Sequence, residues 1–188
     1  MKKKRPGTVR IIGGKWRGTR VPVTDLAGLR PSGDRSRETL FNWLQMHLRG
    51  SRCIDLFAGS GVLGLEAASR GAAKVTLVEK DRLAAAGIRE TARRLNAEQL
   101  DVIEADAISW LARVEPKYID IVFIDPPFGS GLERQALDTL TTHDCIKTGG
   151  LVYLETAKGE PVFSFGPEWE ISREKLLGEV RMQLLKKV

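Results

Sequence analysis

From residue 52 to residue 125 the chain alternates between short apolar runs and helix-like segments, and this alternation leaves few folds open. The runs are "RCIDLF", "KVTLVE", "LDVIEAD" and "YIDIVFID", separated by "GVLGLEAASRG", "DRLAAAGIRETARRLNAE" and "AISWLARV". Apolar strands joined through helices by short loops predict an α/β fold, a parallel sheet with helices on both faces. Ligands of such sheets lie at the carboxyl ends of the strands, near the switch in strand order. The loops after each run therefore carry the functional expectations.

Downstream, "GLERQALDTLTTHDCIK" predicts a helix, "GGLVYLET" a strand, and "WEISREKLLGEVRMQLLKKV" two strands about Gly178, an antiparallel hairpin at the sheet edge. Upstream, residues 8–23, "TVRIIGGKWRGTRVPV", read as a small β-hairpin turning at its glycines. In "LRPSGDRSRETLFNWLQMHL" either Ser36 or Asp34 is expected to cap a helix, with Leu40, Phe41, Trp43, Leu44 and Leu48 on its core face. The predicted organisation is a basic extension over residues 1–24 and a main domain over residues 25–188.

A hydrophobic content of 42% in 188 residues is enough for one real core. The apolar runs are strand-sized, far short of the roughly 20 residues of a membrane span, and no hydrophobic signal region follows "MKKKRPG". A soluble, cytoplasmic protein is expected, with no membrane partner. Cys53 and Cys145 lack metal-ligand spacing and adjoin apolar residues, so buried reduced thiols and no metal site are expected; His47 and His143 read as surface residues.

Charge is unevenly placed. Residues 1–37 carry eleven Lys or Arg against Asp25 and Asp34, a local balance of +9 in a chain whose total is +6. Such polarity suits a surface that meets a polyanion, although a solvated basic tail would look the same. Trp16 stands among Lys15, Arg17 and Arg20, with Arg10 close by. A basic cluster with an aromatic can grip phosphates and stack a base; Trp16 can equally pack the hairpin onto the main domain.

The first run ends in "DLFAGSGVLG", residues 55–64, whose Gly59, Gly61 and Gly64 satisfy G-x-G-x-x-G between a strand and a helix. Glycines there let a cofactor approach the backbone at a helix N-terminus. The second run ends in Glu79, twenty residues after Gly59, placed to accept from ribose hydroxyls. Both NAD and S-adenosylmethionine carry that ribose. Asp55, just before the turn, favours the ammonium of a methionine moiety over a pyrophosphate, although it could also hold the loop together. Asp106 in "EADA" is placed to read an adenine amino group or to cap a helix. Phe57, Ser60, Lys80 and Ala107 complete the expected cofactor set.

The fourth run ends in "DPPF", Asp125, Pro126, Pro127 and Phe128. A residue before proline is pushed toward extended backbone, and here that applies to both Asp125 and Pro126. The Asp125 carboxylate and the Pro126 carbonyl can then accept the two N–H bonds of an exocyclic amine together, turning its lone pair toward a methyl donor. Phe128 would stack on the base. Catalysis of this kind is orientation and proximity, with a late proton loss.

"RIIGGKWRG", "LRPSGDRSRETLFNWL", "DLFAGSGVLGLEAASRGA" and "IDPPF" together closely resemble the RsmD family of 16S ribosomal RNA (guanine-N2-)-methyltransferases. The resemblance implies a Rossmann-like class I methyltransferase with a mostly parallel seven-stranded sheet, an antiparallel C-terminal edge hairpin and a small N-terminal β extension for RNA. It carries the cofactor role onto Asp55, Gly59, Gly61, Glu79 and Asp106, sets Arg30, Asp34 and Arg37 near the methionine end, and makes Asp125, Pro126 and Phe128 the catalytic motif. The implied substrate is one guanine of 16S RNA in the small subunit, acted on by a monomer with S-adenosylmethionine. An amino-methyltransferase of DNA or another RNA, a non-catalytic RNA-binding assembly factor and an NAD-linked oxidoreductase are the competing expectations.

Overall fold

The computed structural model describes residues 7–23, 33–160 and 164–188. The segment "MKKKRP", Arg30 and the junction expected at residues 24 and 25 lie outside the described residues. The predicted alternation folds as β3 (Arg52–Asp55), α2 (Val62–Ser69), β4 (Lys74–Glu79), α3 (Arg82–Arg94), β5 (Leu100–Glu104), α4 (Ala107–Leu111) and β6 (Ile119–Ile124). Then follow α5 (Leu132–Thr142), β7 (Ile146–Ala157), β8 (Trp169–Leu177) and β9 (Val180–Lys187). Seven strands form one sheet in the order β5-β4-β3-β6-β7-β9-β8. The pairs from β5 to β7 are parallel, and β9 pairs antiparallel with β7 and β8. Strand order reverses about β3, which has β4 on one side and β6 on the other, so a crevice is expected where these strands end.

Both faces of the sheet are covered, and β6 shows why its sequence is apolar throughout. Ile121 and Phe123 point into one core with α1 (Asp34–Trp43), α2 and α3, while Val122 and Ile124 point into the other with α4 and α5. Helix α1 (Asp34–Trp43) buries Leu40 and Phe41, and the Phe41 ring lies 6.0 Å from that of Phe123. Neither Ser36 nor Asp34 caps it. Gly33 holds the cap position, Ser36 is buried, and Asp34 instead accepts from Arg37 at 2.6 Å.

The N-terminal hairpin pairs β1 (Thr8–Arg10) with β2 (Arg20–Pro22). Its Val9, Ile11, Trp16 and Val21 join the same core as α1 to α3. Gly14, at φ +75°, lies so near the end of α2 that a Cβ there would meet the Ser69 carbonyl oxygen at 1.9 Å. That proximity lets Lys15 N–H donate to the same carbonyl at 2.8 Å and Trp16 N–H to the Ser69 hydroxyl at 2.9 Å. Cys53 and Cys145 are buried free thiols, as expected, and burial pushes Cys53 up to about 12. Among the described residues no helix is long and apolar enough to cross a membrane.

Candidate active site

The glycine loop is shaped for close approach. Gly59 and Gly61 adopt φ +54° and +77°, and Gly61 caps α2. A Cβ on Gly64 would come within 2.6 Å of Leu77, so the third glycine lets helix α2 press onto β4. Asp55 accepts the Gly64 N–H at 2.9 Å, which secures the turn from inside. Glu79 braces it from the next strand, accepting from Gly59 at 2.6 Å and from Asp81 at 2.7 Å. Asp106 caps α4 through the Ser109 N–H at 3.0 Å and lies 3.8 Å from Lys80. The Ser109 donors hold its carboxyl below the usual range.

A cavity of about 930 Å³ opens over these strand ends. That is near the upper end of the roughly 300–1,000 Å³ usual for small-molecule sites, room for a nucleoside cofactor and a base together. Asp55, Phe57, Gly59, Ser60, Glu79, Lys80, Asp106, Ala107 and Asp125 through Phe128 all line it. Gly61 lies behind the wall as the helix cap. Phe128 is 40% exposed, available to a planar partner.

Successive strands of the sheet bring acids to this edge. In sheet order Asp106 follows β5, Glu79 and Asp55 end β4 and β3, Asp125 follows β6, and Glu155 lies near the end of β7. Crowding and burial show in their protonation. Asp55 is pushed up to about 7 by burial, against the Gly64 N–H, with the Asp125 and Glu79 charges adding to the rise. Glu155 is likewise raised to about 7 by burial and by the Asp125 charge, while the Tyr153 hydroxyl bonded to it acts in the opposite sense.

The placing of Arg37 and Asp34 beside the cofactor is corrected here, and of the two readings of Trp16 the packing one holds. Arg37 does not line the cavity; it is fully buried, donating to the Arg10 carbonyl at 2.8 Å and to Asp34 and lying 3.8 Å from Glu66. Asp34 is its partner and also stands off the wall, where Gly33 takes part instead. Trp16 is 7% exposed and packed into the core, so its ring is not offered to a base. Arg10, Lys15, Arg17 and Arg20 around it are exposed.

Residues 9–186 match the family model described as Conserved hypothetical protein 95. Ribosomal RNA small subunit methyltransferase D of Haemophilus influenzae is 43% identical over 182 residues, 95% of this chain and 93% of that protein. Its counterpart from Escherichia coli K12 is 42% identical over 178 residues, 95% and 89% of the two chains. This chain belongs to the RsmD family. The solved structure of yhhF from Escherichia coli superposes with a TM-score of 0.86 at 40% identity, covering 96% of this chain and 98% of that one. The seven-stranded sheet, edge hairpin and N-terminal extension expected of an RsmD protein are thus all present.

Proposed function

We propose that this RsmD protein methylates the exocyclic N2 of one guanine in 16S ribosomal RNA of the small subunit, using S-adenosylmethionine. The observation that carries the reading is the acid-lined edge that ends in Asp125-Pro126-Pro127-Phe128. Asp55, Glu79, Asp125 and Glu155 around one cavity disfavour a pyrophosphate and suit a cofactor that is cationic at sulfur and at its amine. This supports S-adenosylmethionine over NAD, which the glycine pattern alone does not. Gly59 and Ser60 admit the cofactor, Glu79 has acceptor sites left for its ribose, Asp106 faces its adenine, and Asp55 sets the field at its methionine end. When bound, S-adenosylmethionine supplies the methyl group.

Asp125 and the Pro126 carbonyl accept the two amine hydrogens, and Phe128 stacks on the base. The nitrogen lone pair is then oriented before any proton leaves, and Asp125 is the nearest acceptor for that proton. A base that begins stacked has to be turned out into the cavity. Arg10, Lys15, Arg17 and Arg20 present the positive surface that holds the surrounding phosphates. The similarity to proteins named as small-subunit methyltransferases supports RNA over DNA.

The test is transfer from methyl-labelled S-adenosylmethionine to small subunits from cells lacking this gene, with nucleoside analysis of the digested RNA. N2-methylguanosine is expected. Cofactor binding without any label in RNA would mean a non-catalytic assembly factor.

A further inference from the structure

Glu155 is a charged residue near the end of β7, in "LVYLET", flanked by Leu154 and Thr156, two residues after Tyr153 and paired across to Met182 of β9. It is 4% exposed, and so is costly to keep there unless it is given donors. The Tyr153 hydroxyl, itself 1% exposed, donates to one of its oxygens. A carboxylate offers about four acceptor sites, so one hydroxyl does not exhaust it. Glu155 also lines the cavity that holds Asp125.

Strand order says which side of the cavity it serves. Asp106 follows β5, and Glu79 and Asp55 end β4 and β3, on one side of Asp125; Glu155 belongs to β7, on the other. The glycine loop and ribose acid are on the first side. The second side is left to the base being modified.

A guanine offers three adjacent N–H donors, two on N2 and one on N1, whereas adenine has a lone pair at N1. With the N2 hydrogens taken by Asp125 and Pro126, N1–H is left needing an acceptor on the side away from the cofactor. We propose that Glu155 is a specificity-determining residue that accepts the N1–H of the target guanine, with Tyr153 holding its carboxylate in place. This rests on the guanine N2 reading above. A donor edge laid across Asp125 and Glu155 also relieves the repulsion between the two carboxylates. A base with a lone pair at N1 would add to it.

The test uses small-subunit RNA assembled with its ribosomal proteins and carrying guanine or 2-aminopurine at the position the wild-type protein methylates. 2-Aminopurine keeps the N2 amine and has no N1–H. Wild-type kcat/KM is expected to favour guanine by about 30-fold or more, as for a buried site deprived of one hydrogen bond to a charged group. In Glu155→Gln the amide can donate to the N1 lone pair or accept from N1–H, and the preference should fall to within about threefold.

Intrinsic reactivity of the two amines cancels in the comparison between wild type and variant. The shift in melting temperature on adding S-adenosylmethionine shows that the variant is folded and its cofactor side intact. An unchanged preference in Glu155→Gln, or a wild-type protein that treats the two bases alike, overturns the assignment of Glu155 and leaves the guanine reading standing. A wild-type protein that places no label on guanine overturns both.

Discussion

The wholly buried carboxylate of Glu66 accepts the backbone N–H of Gly13 at 2.7 Å, across 53 residues of sequence. The same group accepts from Ile12 at 2.7 Å and from Arg70 at 2.7 Å, with Arg37 at 3.8 Å. The hairpin is therefore tied to α2 by charge-assisted bonds to a buried carboxylate. Glu66→Ala leaves Arg37 and two N–H groups without this acceptor and is expected to cost about 3–5 kcal/mol. Urea unfolding of the variant measures it; a loss below about 1 kcal/mol would show that the network is dispensable.

Asp125→Ala removes the proposed amine acceptor but no part of the glycine loop. Single-turnover transfer is expected to fall by about a thousandfold, with the affinity for S-adenosylmethionine, measured by calorimetry, within a few-fold of wild type. Loss of cofactor binding instead would assign Asp125 to the other side of the site.

Asp55 and Glu155 carry a pH signature. Both are raised to about 7 in the folded protein, from unfolded values near 4. Between those limits the folded chain holds protons that the unfolded chain has released, so their contribution to stability is greatest in acid and falls as pH rises toward 7. Cofactor affinity should run the opposite way, strengthening through the same window as Asp55 ionises against a cation. Melting curves of the cofactor-free protein from pH 5 to pH 8 check the first expectation. Asp55→Asn should flatten both profiles.

The basic hairpin and its tryptophan separate cleanly. Removing Lys15 or Arg17, both exposed, is expected to weaken RNA binding uniformly and lower the slope of log affinity against log salt by roughly 0.7–0.9 per charge. Trp16→Ala should leave that slope alone and cost about 3–5 kcal/mol of stability, as a buried aromatic does. A change of slope in Trp16→Ala with stability intact would return the ring to the RNA surface.

Much of this was legible in sequence because strand periodicity and loop chemistry are local. The alternation from residue 52, the glycine loop and "DPPF" each announce themselves within ten or so residues, and the structure brings their side chains to one cavity. What was missed depends on partners distant in sequence. Glu155 looks like a stray acid in a strand until β6 and β7 pair and set it beside Asp125. Arg37 looks like one charge in a polar helix entrance, and only the docked hairpin shows that it meets the Arg10 carbonyl and Glu66. Trp16 was ambiguous for the same reason: its exposure depends on α2, which the hairpin sequence does not contain.

Helix α2 begins at the glycine cap beside the cavity and ends at Ser69 and Arg70 under the hairpin. It thus acts as a gauge between the cavity and the basic hairpin. Its eight residues span about 12 Å. One residue inserted there would advance the hairpin by about 1.5 Å and swing it by roughly 100°, turning its basic face away from the cavity mouth. The separation of the cavity from the basic hairpin is thus set by a single turn count.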